Sequence, residues 1–212
     1  MARPPRVSPD RILAAAAAEF AARGFAGARV DRIARAARVN KAMLYYHFRN
    51  KKTLYRTLLR GMFSGMAERL APIAASDLPA PDKLMQAIAA FGERLRESPE
   101  LPRIMLREIA EGGTHLDRET LAALAAVPKS VAPIIARGAA TGEFRDVHPL
   151  LAYFTMLGPL VVFFSAAPVL QEVAELRLLD TQPITPDAFI RHLQETMRRS
   201  LAPDGRSTHA GT

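Results

Sequence analysis

The stretch Leu44-Tyr-Tyr-His-Phe-Arg-Asn-Lys51 decides how this chain is read. Leu44 and Phe48 stand one helical turn apart, so both face a small core, while Tyr45, Tyr46 and His47 leave two phenols and an imidazole to be presented elsewhere. Asn50 then fits a helix cap, and Lys51 opens the helix that follows.

Working outward, Val30, Ile33, Ala34 and Ala37 mark a short preceding helix. A turn at Arg38-Val39 follows it, and Asn40 caps the helix that carries the quoted stretch. Further back, Ser8-Pro9-Asp10 opens a first helix: serine can cap, proline takes a position whose N–H would be unpaired, and aspartate suits the positive end. Ile12, Ala16 and Phe20 recur every four residues, and Gly24 is placed to stop the helix at about Arg23. Arg3 and Arg6 ahead of an apolar run would suit a leader peptide, but Asp10 and Glu19 bracket that run, as an amphipathic helix requires. Two short helices joined by a tight turn are a helix-turn-helix candidate. On its second member, Lys41, Ala42 and Tyr45 project opposite Leu44, giving a cation, a small residue and a phenol to the base edges and phosphates of a major groove.

Charge is concentrated in the same region. Of 29 Lys/Arg and 21 Asp/Glu, 14 basic residues but only three acidic ones (Asp10, Glu19, Asp31) fall within residues 1–60, and the rest of the chain is mildly acidic. A basic block on an acidic body points to a local polyanion partner, nucleic acid ahead of anionic membrane.

From Val30 to Leu54 the chain resembles the DNA-binding domain of the tetracycline-repressor (TetR) family, most specifically over Leu44–Lys51. With the first helix and Gly24-Phe25 the likeness covers residues 8 to about 56. The resemblance implies Tyr45, Tyr46, His47 and Lys51 on the DNA backbone and Lys41 and Tyr45 near bases, with Asn40 and Ala42 beside them at the helix start. Two positions depart from the family pattern. Arg29 stands where a threonine usually opens the second helix, and reaches for a phosphate instead of capping. Arg38 stands where the turn favours glycine, and if left-handed it costs on the order of 1–2 kcal/mol.

Beyond residue 56 the pattern stays helical. A fourth helix is predicted from Lys51 to about Ala71, stopping before Pro72, then helices near 83–97, 100–111, 117–126 and 129–140, with Gly112-Gly113 and Pro128 as breaks. Pro149 to Leu170 carries no charge over 22 residues, long enough to span a membrane, but Pro159 and Pro168 interrupt it and no cationic cluster flanks it. A helix apolar all round also suits a buried core or a subunit interface. The last helix opens at Thr185-Pro186-Asp187 and carries Phe189, Leu193, Met197 and Leu201 at four-residue spacing. By the resemblance, helices 149–167 and 186–201 pair with their copies in a second subunit, which places Phe189, Leu193 and Met197 at a dimer interface. An intrachain core is the alternative.

Other chemistries find little support. The chain has no cysteine, which removes disulfides and thiolate chemistry and fits a reducing cytoplasm. Its five histidines (47, 115, 148, 192, 209) lack metal-ligand spacing, and no hydrolase or phosphate-loop motif occurs. Glu108 and Glu111 are the one carboxylate pair worth naming, and a solvated face explains them. No metal and no cofactor is expected. The expectation is an all-α chain: a three-helix helix-turn-helix domain (residues 1–56), a helical ligand-binding and dimerisation domain (57–201) and a disordered tail (202–212). It would act as a cytoplasmic, homodimeric regulator of a palindromic operator. By the resemblance, Met62, Met66, Phe91, Met105, Phe154 and Met156 lie on helices that enclose a pocket for a small apolar effector, methionine adapting to ligand shape and aromatic faces stacking on flat ones, with an ordinary core as the alternative.

Overall fold

A computed structural model describes residues 8–178, 182 and 184–203; most of the expected tail, from residue 204 on, lies outside the described residues. Among these the chain forms helices α1 (Pro9–Gly27), α2 (Val30–Ala36), α3 (Lys41–Phe48), α4 (Lys51–Ala75), α5 (Ala80–Glu97), α6 (Glu100–Ala110), α7 (Arg118–Ala140), α8 (Pro149–Glu175) and α9 (Pro186–Leu201), and no strand. They fall into two compact units. The first holds residues up to Phe63 together with Glu100–Leu124, and the second Ser64–Pro99 with Ala125 onward.

The starts expected from the sequence are capped as their chemistry demands. The Ser8 hydroxyl accepts from Asp10 N–H, the Asn40 side chain from Met43 N–H at 2.7 Å, Asn50 from Thr53 N–H at 2.8 Å, and Thr185 from Ala188 N–H. Gly24 interrupts α1 at φ +67°, a left-handed value that an L side chain adopts only at a cost, and the chain resumes one further turn to Gly27. At the end of α2, Arg38 stands at φ +54° while Val39 N–H donates to the Ala34 carbonyl at 2.9 Å, the 6→1 bond of a Schellman closure. The turn therefore keeps the geometry that glycine would serve, with arginine in it.

Three helices run through prolines, several of which the sequence pattern treats as ends or breaks. Pro72 lies inside α4, Pro128 and Pro133 inside α7, and Pro159 and Pro168 inside α8. Each proline removes one intrahelical bond. In α7 the buried row Val127, Val131, Ile134 and Ile135 continues straight across both positions, and burial of that row offsets the lost bonds.

Around α1, the first unit buries Ile12, Ala16, Phe20, Ile33, Leu44, Leu54 and Leu59, and α6 packs against α1 in the same body. In the second unit α5 packs on both α8 and α9 over Leu84, Ile88, Phe91, Met156, Leu160, Ile190 and Leu193. Gly92 permits this crossing, since a Cβ there would collide with the Ile190 side chain. By length and composition α7 and α8 could each cross a bilayer, yet both contribute side chains to this core.

Arg38→Gly is expected to raise stability by about 1 kcal/mol, whereas Arg38→Ala, which keeps the left-handed strain, should not. Urea unfolding midpoints of the three proteins check this; equal gains for both variants would place the effect in the charge instead.

Candidate nucleic-acid interface

The exposed face of α3 follows from its burial. Leu44 is fully buried and Phe48 nearly so, which turns Lys41, Ala42, Tyr45 and Tyr46 outward; Tyr46 is 82% exposed, and His47 is half-buried with its ring edge-on to Tyr46. The Asn40 side chain is engaged in the cap. Arg29, with no capping bond of its own, gives its backbone N–H to Glu19 at 3.1 Å and leaves its guanidinium at an exposed position. Lys41 meets Asp31 of α2 at 2.8 Å, and that hydrogen bond holds its ammonium above the usual lysine range. Arg29, Arg32, Arg35 and Arg38 occupy exposed positions along α2 and its turn.

Lys51 takes a place the sequence does not suggest. Its ammonium donates to the carbonyls of Phe25 (2.8 Å), Ala28 (3.1 Å) and Ala26 (3.3 Å) and sits 4.6 Å from the Phe25 ring centroid. An ammonium has three N–H groups, and three carbonyls at the negative end of α1 take them. This lysine ties α4 to α1.

A buried polar knot lies beside it in the same unit. Glu108 of α6 is buried, against the expectation of a solvated face, and accepts from the Tyr55 hydroxyl (2.9 Å) and the His115 backbone N–H (3.1 Å). Its other contact is His115 Nδ1, also at 3.1 Å. Glu111, which is exposed, lies 3.4 Å from the same Nδ1. The His115 ring packs 4.1 Å from Phe25, and Arg56 Nε donates to the His115 carbonyl at 2.7 Å. Burial first, and the bond to Glu108 second, push the Tyr55 phenol well above its ordinary pKa. Glu108, Glu111 and His115 bring three metal-capable donors within 4.8 Å of one another, but the hydrogen bond of His115 to Glu108 and its contact with Glu111 account for the grouping.

Residues expected at an effector pocket and a dimer interface are differently placed. Met62, Met66, Phe91 and Met156 are buried and Met105 is half-buried. Phe154 is 65% exposed and so faces away from the core it was expected to line. Leu193 and Met197 are 5% and 1% exposed inside the second unit, packed with α5 and α8, so they cannot meet a second subunit without opening that core. Phe189 is half-buried and stacks on Phe163 at 4.1 Å. The uncovered apolar row is on α8 instead: Leu151, Phe154 and Val162, all more than half exposed, with Gly158 between them. An open cleft of about 520 Å³ in the second unit is lined by Phe163, Phe164, Leu170, Gln171 and Ile184, and none of the six expected pocket residues borders it.

Known proteins match this arrangement. Residues 12–58 fit the profile of the bacterial regulatory proteins of the tetR family. Over 160 residues, 74% of this chain and 75% of the relative, the chain is 30% identical to the HTH-type transcriptional repressor NicS of Pseudomonas putida. Its fold is similar to that of the TetR family transcriptional regulator PfmR of Thermus thermophilus, with a TM-score of 0.72 at 22% identity over 93% of this chain and 98% of that one. The transcriptional regulator FadR of Bacillus subtilis, solved in complex with stearoyl-CoA, gives a TM-score of 0.71 at 19% identity over 92% of this chain and all of that one.

Lys51→Met, which keeps the stem and removes the charge, is expected to cost about 2 kcal/mol because three carbonyls lose a charged donor. An unchanged urea midpoint would show those contacts to be dispensable.

Proposed function

The chain belongs to the TetR family of bacterial regulatory proteins, and on that premise we propose that it is a homodimeric cytoplasmic repressor that grips a palindromic operator through α3 and lets go when a small apolar effector binds. The observation that carries the reading is the outward face of α3. Lys41, Ala42, Tyr45 and Tyr46 are exposed in a unit where the other side of the same helix is sealed by Leu44 and Phe48. A helix so divided lies in a major groove with phenols and cations against both bases and backbone. Tyr46 and His47 serve the phosphates, Lys41 and Tyr45 the base edges, and Arg29 a flanking phosphate. Lys51 supports the site by fixing α1 against α4 and adds its charge from behind.

Two recognition helices bind a two-fold operator well only when a dimer spaces them about one DNA turn, ~34–36 Å, or a multiple of it apart. The exposed row on α8 supplies the self-complementary apolar surface such a dimer needs, so the interface is assigned to Leu151, Phe154 and Val162 in place of Leu193 and Met197. For the effector, the second unit offers the adaptable side chains of Met66, Phe91 and Met156 and the aromatic cleft at Phe163 and Phe164. The acyl chain of the stearoyl-CoA bound by the B. subtilis structure is in keeping with an apolar ligand. Such a ligand releases DNA only as far as it binds the released state more tightly than the bound one.

Selection of bound sequences from random DNA should return a palindrome, and Lys41→Ala should relax one position in each half-site at a cost of ~1–3 kcal/mol. A uniform loss across all operator variants would move Lys41 to the phosphates. Phe154→Glu should sediment as a single chain with poor operator affinity; an unchanged mass would remove α8 from the interface.

A further inference from the structure

Asp31 has no task in operator binding as described so far. Of the three carboxylates among residues 1–60, Asp10 lies at its own helix start, accepting from the Ser8 hydroxyl at 2.8 Å, and Glu19 accepts the Arg29 N–H with Arg23 and Arg32 nearby at 3.6 and 3.7 Å. Asp31, in the first turn of α2, is 65% exposed, and its Oδ1 lies 2.8 Å from the Nζ of Lys41, itself 52% exposed. An acid so placed, among Arg29, Arg32, Arg35 and Arg38, is repelled by any phosphate those arginines attract.

We propose that Asp31 is a specificity-determining positioning residue, which holds Lys41 toward base edges and keeps it from the phosphate backbone. The proposal rests on the operator-binding reading above. An ammonium has three N–H groups, and one given to Asp31 leaves two, enough for the O6 and N7 acceptors of a guanine. In a sequence-independent complex the favourable contacts are to phosphate. A phosphate brought to Lys41 there also meets the Asp31 carboxylate, so the contact is either weakened by like-charge repulsion or made by a Lys41 that has left Asp31 unpaired beside the DNA. An exposed pair is individually weak, so the penalty is modest, but it falls on the non-specific mode and spares the specific one.

The test uses the full-length protein as wild type, Asp31→Asn, Lys41→Ala and the double variant, each titrated by fluorescence anisotropy from 50 to 200 mM salt against a selected operator and a scrambled duplex. Asp31→Asn is expected to bind the scrambled duplex ~3–10-fold more tightly, with a log–log salt slope steeper by up to ~0.9, as for one added phosphate contact. Operator affinity should rise less, so the ratio of specific to non-specific affinity falls, and most of the effect should vanish in the Lys41→Ala background. A ratio unchanged by Asp31→Asn overturns the proposal, as does an effect of equal size without Lys41. A wild-type protein that prefers no sequence overturns the operator reading itself, before any variant is compared.

Discussion

A carboxylate taken out of water costs several kcal/mol unless donors replace its hydration, and Glu108 meets that demand with one phenol, one backbone N–H and one imidazole. Those donors come from α4 and from the segment after α6, so a single charge fixes how three pieces of chain must meet. Phe25 covers the imidazole, Arg56 holds its carbonyl, and the Arg56 guanidinium reaches Asp117 at 3.2 Å, which the Thr120 hydroxyl and N–H already keep well ionised. Residues 100–124 thereby join the compact body of the first sixty, and the unit that presents α3 is larger than a three-helix domain.

Much of this is readable from the sequence, because it rests on local chemistry. The caps at Ser8, Asn40, Asn50 and Thr185, the break at Gly24 and the division of α3 into a Leu44 side and a Tyr45 side each depend on residues within four positions of one another. Proline misleads. Pro72, Pro128, Pro159 and Pro168 read as stops or interruptions, yet the helices continue through each, and in α7 a deeply buried row spans the proline positions. Glu108 and Lys51 are hidden for a different reason: their partners lie 53 and 7 positions away along the chain for Glu108 and 23 to 26 for Lys51, beyond any periodicity. The stripe Leu193–Met197 reads correctly as apolar, and within the chain it is buried where α9 packs on α5 and α8. A one-chain sequence records that a face must be covered, and only the packing of α5 shows by what.

The two lysines of the site illustrate how context divides identical side chains. Lys51 is held by carbonyls at a helix end, where the lost hydration of a compact point charge is offset by three acceptors in fixed geometry. Lys41 has one exposed carboxylate beside it and remains free to exchange that partner for another. The arginine at Arg38 adds a third case, in which a cation is kept at a left-handed position that favours glycine.

The distribution of tyrosine has a spectroscopic consequence. With four tyrosines and no tryptophan, the chain's near-ultraviolet emission comes from phenols alone. Tyr45 and Tyr46 stand in water on one helix, while Tyr55 and Tyr153 are enclosed, and burial raises the hydroxyl pKa of both enclosed phenols. A soluble collisional quencher such as iodide reaches the first two and not the others, and the basic surface around them concentrates it. The unlabelled protein therefore carries its own optical reporter: the quenchable part of the signal belongs to α3, and the protected part records whether the two cores are intact.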